Sequence, residues 1–111
     1  MDEIAKAFRV GNWSAFPRAG EIVRDGRITH VEPKVMDVLV ALWQRAGDVV
    51  LRGELLDEIW GAAESASDES LTRSVSLLRK ALGDSPRAPR YIQTVPKRGY
   101  RALEAASPIV L

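Results

Sequence analysis

No cysteine occurs in the 111-residue sequence, which excludes disulfides, thiolate metal sites and a cysteine nucleophile, and suits a reducing compartment. Histidine occurs once, as His30, in a stretch that reads as a strand. No second imidazole or thiolate can share a metal with it, so a structural or exposed place is expected. No apolar run approaches the roughly 20 residues that span a bilayer, and the N-terminus lacks the basic-then-apolar layout of a secretory signal; a cytoplasmic setting is expected. Glycine-rich phosphate loops and internal repeats are missing as well. The adjacent acids Asp57/Glu58 and Asp68/Glu69 point to different helix faces and cannot act as an acid-base pair. With no nucleophile and base to combine, the chain is not expected to be an enzyme, and no catalytic residue, metal or cofactor is expected.

What is present is an ordinary globule with unevenly placed charge. Hydrophobic residues make up 46% and charged residues 28%, enough for one domain with a modest core. The net charge is only +1. Residues 1–67, however, hold 8 Lys/Arg against 11 Asp/Glu, a net −3, whereas residues 68–103 hold 8 against 3, a net +5. Phosphates are neutralised locally, so a basic C-terminal half is the sequence footprint of a nucleic-acid-binding face.

Between Phe8 and Val31, short apolar or alternating stretches are broken by Gly-Asn, Pro-Arg-Ala-Gly and Asp-Gly. That spacing predicts an antiparallel meander with strands at Phe8–Val10, Trp13–Phe16, Glu21–Val23 and Arg27–Val31, the Asp25-Gly26 hairpin being its firmest turn. The period then changes. Pro33 suits a first helical position, and Met36, Leu39, Val40 and Trp43 repeat at helical spacing until Gly47, predicting a helix over Pro33–Ala46. The pairs Leu55/Ile59 and Leu56/Trp60 predict a second helix over Arg52–Trp60, closed by Gly61. A third opens at Ser67 or Asp68 and runs to Leu82, before Gly83. Residues 90–103, RYIQTVPKRGYRAL, alternate as a hairpin with Pro96, Lys97, Arg98 and Gly99 at its turn. Residues 1–7 read as an extension and 104–111 as a tail or the start of a linker. Sheet, three helices and a basic hairpin, in that order, outline an α+β winged helix spanning residues 8–103.

On the third helix, Leu71, Val75, Leu78 and Leu82 fall within an arc of about 60° and must face the core. Opposite them lie Arg73, Ser76, Leu77 and Lys80, with Thr72 and Arg79 on one flank. A merely solvated face usually mixes both signs, whereas here the acids stop after the first turn and only cations follow. An exposed Leu77 would suit a thymine methyl, and Ser76 and Thr72 could meet base edges or phosphates. At the hairpin tip, Lys97 and Arg98 are charges the core does not need; they either solubilise the turn or reach for phosphate. Arg87 and Arg90 flank the hairpin, where they are either phosphate contacts or solvated loop charge.

The string DESLTRSVSLLRKALGDSPRAPRYIQTVPKRGYRAL, preceded by VEPKVMDVLVALW and ELLDEIWG, closely resembles the winged helix-turn-helix effector domain of the OmpR/PhoB type, and within it the CadC/ToxR-like branch. The resemblance covers residues 8–103. It implies a four-stranded antiparallel N-terminal sheet, three helices and a C-terminal β-hairpin wing, in a bacterial transcriptional regulator that binds double-stranded DNA. Helix three, through Thr72, Arg73, Ser76, Leu77, Arg79 and Lys80, is expected in the major groove, and Arg90, Lys97 and Arg98 at the backbone or minor groove. The resemblance further implies head-to-tail pairs on direct repeats, an RNA polymerase contact through Gly61–Ser67, and a possible membrane anchor beyond Leu111 in a longer parent protein. Two departures stand out. Relatives often carry an arginine where this chain has Pro96, and a serine cap and a glutamate where it has Leu51 and Gly53, a loss of about 1 kcal/mol each in helix stability. The same scaffold also hosts protein-interaction modules, which would lack a steep salt dependence on DNA.

Overall fold

A computed structural model of the chain describes residues 6–61 and 67–109. Four short strands come first: β1 (Phe8–Val10), β2 (Trp13–Phe16), β3 (Glu21–Arg24) and β4 (Arg27–His30). They form an antiparallel meander, as the turn residues predict. Asp25 and Gly26 both take positive φ, 52° and 76°, the pairing that a two-residue hairpin with right-handed twist needs. Helix α1 (Pro33–Trp43) follows, then strand β5 (Val49–Leu51), α2 (Arg52–Trp60), α3 (Asp68–Leu82) and the hairpin β6 (Ile92–Val95) and β7 (Gly99–Ala102). A last strand, β8 (Ser107–Pro108), completes the chain.

Two sheets sandwich the helices' apolar faces. The first has the order β4-β3-β2-β1-β8 and the second β5-β7-β6. Phe8 and Ile22 from the first sheet, Leu42 from α1, Leu71 and Leu78 from α3 and Ile92 from β6 are all fully buried in one cluster. Each such side chain contributes roughly 1.5–3 kcal/mol. The stripe Leu71, Val75, Leu78 and Leu82 faces this core, so the opposite face of α3 is left outside by elimination. Among the described residues no helix is long and apolar enough to cross a membrane.

Three features differ from the sequence expectation. Helix α1 stops at Trp43, short of Ala46; Gly47 has φ 93° and donates its N–H to the Ala102 carbonyl at 2.9 Å, so it ties the helix exit to the wing instead of terminating the helix. Val49–Leu51 form a third strand beside the hairpin, pairing with β7 as Val49↔Arg101, Val50↔Tyr100 and Leu51↔Gly99. Finally, the stretch expected as a tail adds a fifth strand to the first sheet, with Phe8↔Pro108 and Arg9↔Ser107 in register. A two-residue strand containing proline carries no periodicity to read, which is why it escapes a pattern search.

Candidate nucleic-acid interface

Helix α3 begins where its chemistry says it should. Ser67 accepts the Ser70 N–H at 3.1 Å, and Asp68 and Glu69 sit in the first turn with Arg79 and Lys80 in the last, each sign at the dipole end that favours it. Gly83 closes the helix at φ 70°.

The next residue, Asp84, governs how the wing leaves α3. Its carboxylate accepts the N–H of Arg90 at 2.8 Å, of Tyr91 at 3.3 Å and of Ile92 at 2.9 Å. Three amides converging on one carboxylate fix the loop 85–91 and the start of β6. Sequence reading passed over Asp84; the signal available was an acid placed just after a helix-stopping glycine, ahead of a Pro-rich loop whose amides need acceptors.

Arg52 is a second residue that pattern alone did not single out. At the start of α2, its guanidinium reaches Asp68 Oδ1 at 3.2 Å and Thr72 Oγ1 at 3.1 Å on α3, and the Tyr100 hydroxyl at 3.2 Å on β7. Burial works against its charge, but the bonds and charges of Tyr100 and Asp68 outweigh that and raise its pKa above the ordinary arginine value. Its backbone N–H meanwhile donates to the Arg98 carbonyl at 3.0 Å. This bond serves one of the orphan donors of α2, whose N-cap Leu51 offers no side-chain acceptor. Glu54 serves another group, accepting the Leu51 N–H at 3.0 Å. The missing serine cap is thereby partly replaced, and the wing turn is fastened beside the N-terminal half of α3.

At the wing tip, Arg98 donates its N–H to the Val95 carbonyl at 3.0 Å, with Pro96 second in the turn and Lys97 third at φ 64°. This is a type II pattern in which the position that favours glycine is held by a lysine. Gly99, expected to shape the turn, does something else. A Cβ there would lie 2.0 Å from the Val50 carbonyl oxygen, so glycine is needed for the close passage of β5 and not for the turn's dihedral angles.

The expected contact residues fall into two groups. Ser76, Lys80, Lys97 and Arg98 are exposed, and no side-chain hydrogen bond or ion pair holds them among the described residues. The others are engaged. Thr72, though exposed, accepts from Arg52; Arg73 faces Glu32 at 3.4 Å; Arg90 lies 3.5 Å from Glu104 and over the Tyr91 ring. Arg90 sits at the base of the hairpin, two residues before β6 begins and at the opposite end from the tip, so the structure does not bring it together with Lys97 and Arg98. Arg87 is exposed in the connecting loop. Leu77 is not the exposed leucine that helical angles suggest: it is half-buried and packs against the core. Arg79 is half-buried too, its Nη2 donating to the Ile92 carbonyl at 3.0 Å and to Thr94 Oγ1 at 2.7 Å.

The connection 62–66, which contains most of the expected polymerase contact, lies outside the described residues; its flanks Gly61 and Ser67 are exposed. Among the described residues no group of acids and histidine is placed to hold a metal ion, and His30 is exposed beside Glu21.

Comparison with known proteins adds an independent line. A family model described as "Transcriptional regulatory protein, C terminal" matches residues 26–102. The transcriptional activator CadC of Escherichia coli K12 is 42% identical over 96 residues, which are 86% of this chain and 19% of that protein. The cholera toxin transcriptional activator of Vibrio cholerae is 43% identical over 67 residues, 60% of this chain and 23% of that protein. The chain thus spans about a fifth of these relatives. Among solved structures, the DNA-binding domain of Escherichia coli CadC superposes with a TM-score of 0.81 at 37% identity, covering 94% of this chain and 97% of that one. The Klebsiella pneumoniae RstA DNA-binding domain, in complex with the RstA box, superposes with a TM-score of 0.76 at 28% identity, covering 88% and 97%.

Proposed function

The chain belongs to the family of C-terminal domains of transcriptional regulatory proteins, of the OmpR/PhoB type, and on that premise we propose that it binds double-stranded DNA sequence-specifically, as part of a bacterial transcription regulator working in the cytoplasm. The observation that carries this reading is the fastening of the wing to α3 through Arg52. It sets the tip cations, which have no side-chain partner among the described residues, beside a helix face that carries cations and no acid beyond its first turn. In the proposed complex α3 lies in the major groove, where Arg73, Ser76 and Lys80 meet base edges and flanking phosphates, and Lys97 and Arg98 meet the adjacent backbone or minor groove. Thr72 and Leu77 have lesser parts, because their side chains are already engaged within the domain, and Arg90 because it lies at the base of the hairpin, away from the tip. Arg73 must exchange Glu32 for DNA; this exposed pair is worth under about 1 kcal/mol and is readily given up.

Arg73→Ala is expected to weaken binding to the preferred site by roughly 1–3 kcal/mol and binding to random DNA far less. Anisotropy titrations on both DNAs check this, and equal losses would demote Arg73 to a phosphate contact. A salt-insensitive affinity of the unaltered protein would instead favour a protein-interaction module.

One winged helix reads too few base pairs to select a site in a genome. We therefore extend the proposal to two copies in head-to-tail tandem, at half-sites roughly 10–11 bp apart. Inserting about 5 bp moves the second copy to the opposite face of the duplex, so cooperativity is expected to vanish in footprinting while each half-site is still filled. Cooperativity that survives the insertion removes the tandem arrangement. An RNA polymerase contact through Gly61–Ser67 rests on the resemblance alone; reconstituted transcription that is unchanged by alanines across that segment would dismiss it.

A further inference from the structure

The Arg79 guanidinium, expected in the major groove with the rest of the outer face of helix three, is turned inward between α3 and the wing. Its Nη2 spends both protons on β6, at the Ile92 carbonyl and Thr94 Oγ1, and its Nε is buried with no partner among the described residues. The bonds cross from the C-terminal half of α3 to the wing strand. Arg52 makes the corresponding crossing at the other end, from Asp68 and Thr72 to Tyr100. The wing is therefore braced against α3 at two points along the helix.

We infer that Arg79 is a positioning residue for DNA binding, a strut that fixes the angle between α3 and the wing so that their groove contacts form together. This inference rests on the function proposed above. Two contacts on a rigid body are made at once, because the second is delivered in place by the first; if the body hinges, the second contact loses its effective concentration. A strut therefore has a signature that a phosphate contact lacks: without it, the wing's cations should contribute less, although Arg79 does not touch them. An arginine is also the side chain such a role demands. Its planar fork serves two acceptors at fixed angles, whereas lysine offers only a point charge.

The test is a double-mutant cycle read by equilibrium binding to the preferred DNA site near 0.1 M salt. It compares the unaltered protein, the tip variant Lys97→Gln/Arg98→Gln, Arg79→Met, and the triple variant. Neutralising the tip is expected to weaken the unaltered protein roughly 50-fold but the Arg79→Met protein at least about fivefold less than that. The same tip factor in both backgrounds would mean independent contacts and would overturn the strut. Arg79→Lys separates charge from geometry: a strut predicts that it behaves like Arg79→Met. Retention of full affinity together with the full tip factor would make Arg79 an ordinary cation at a phosphate. Should Arg79→Met fail to fold by thermal melting, Thr94→Val removes the hydroxyl acceptor and carries the cycle with the same two outcomes. An unaltered protein with no site preference and a salt-insensitive DNA affinity defeats the functional proposal itself, whereas normal binding with an additive cycle defeats only the strut.

Discussion

Gly99→Ala is expected to destabilise the domain by about 3 kcal/mol or more, the upper part of the range for overpacking a tight interior. The new methyl would sit 2.0 Å from the Val50 carbonyl oxygen, 2.9 Å from its carbon and 3.0 Å from Leu51 Cα. All three are backbone atoms, so no side chain can turn aside to make room. Val50 is itself fully buried, and β5 can retreat only by giving up its pairing with β7. Thermal melting should show a fall of more than about 10 °C, at several degrees per kcal/mol for a domain of this size. Gly26→Ala is the control: it has φ 76° with nothing within 4 Å, so it carries only the left-handed penalty of about 1–2 kcal/mol. A Gly99→Ala protein that melts within about 2 °C of the original would show that β5 is free to move.

Neutralising the tip with Lys97→Gln and Arg98→Gln is expected to lower the slope of log affinity against log salt by up to about 1.8, at 0.9 per phosphate contact. Near 0.1 M salt that corresponds to roughly a 50-fold loss, shared by preferred and random DNA because phosphates carry no sequence. Stability should hold, since both side chains are exposed. A companion variant separates binding from folding. Lys97→Gly relieves a lysine held at φ 64°, so the melting temperature should stay level or rise while about half of the slope change appears. An unchanged slope in the double variant would take the wing out of the interface.

Much of this domain was legible in the sequence, for physical reasons that also mark where legibility stops. The four strands of the meander and helices α2 and α3 begin and end within a residue of where turn and capping chemistry put them, because Asp25-Gly26, Ser67 and Gly83 act locally. The α3 core stripe was likewise readable, since periodicity is a property of the helix alone. What escaped depends on partners distant in sequence. β5 exists through its pairing with β7, Gly47 bonds across to Ala102 beyond the end of α1, and Leu77 is half-covered by packing no helical angle contains. The interface shows the same division. Exposure of Lys80, Lys97 and Arg98 followed from local position, whereas the engagement of Thr72 by Arg52, of Arg73 by Glu32 and of Arg79 by β6 did not. Asp84 and Arg52 carry no sign of importance until the amides and hydroxyls they serve are brought within reach.

The short β8 strand bears on a hazard common to all open sheets. An uncovered β1 would present the carbonyl of Ala7 and the amide and carbonyl of Arg9 to any extended chain that drifted past, and unpaired edges of this kind are where aggregation and strand exchange start. With Ser107 and Pro108 laid along β1, the new outermost strand is two residues long, and one of them has no N–H to offer. A further strand arriving there finds almost nothing to zip onto. The proline that makes β8 hard to recognise as a strand thus also helps to keep one copy of the domain from polymerising onto the next.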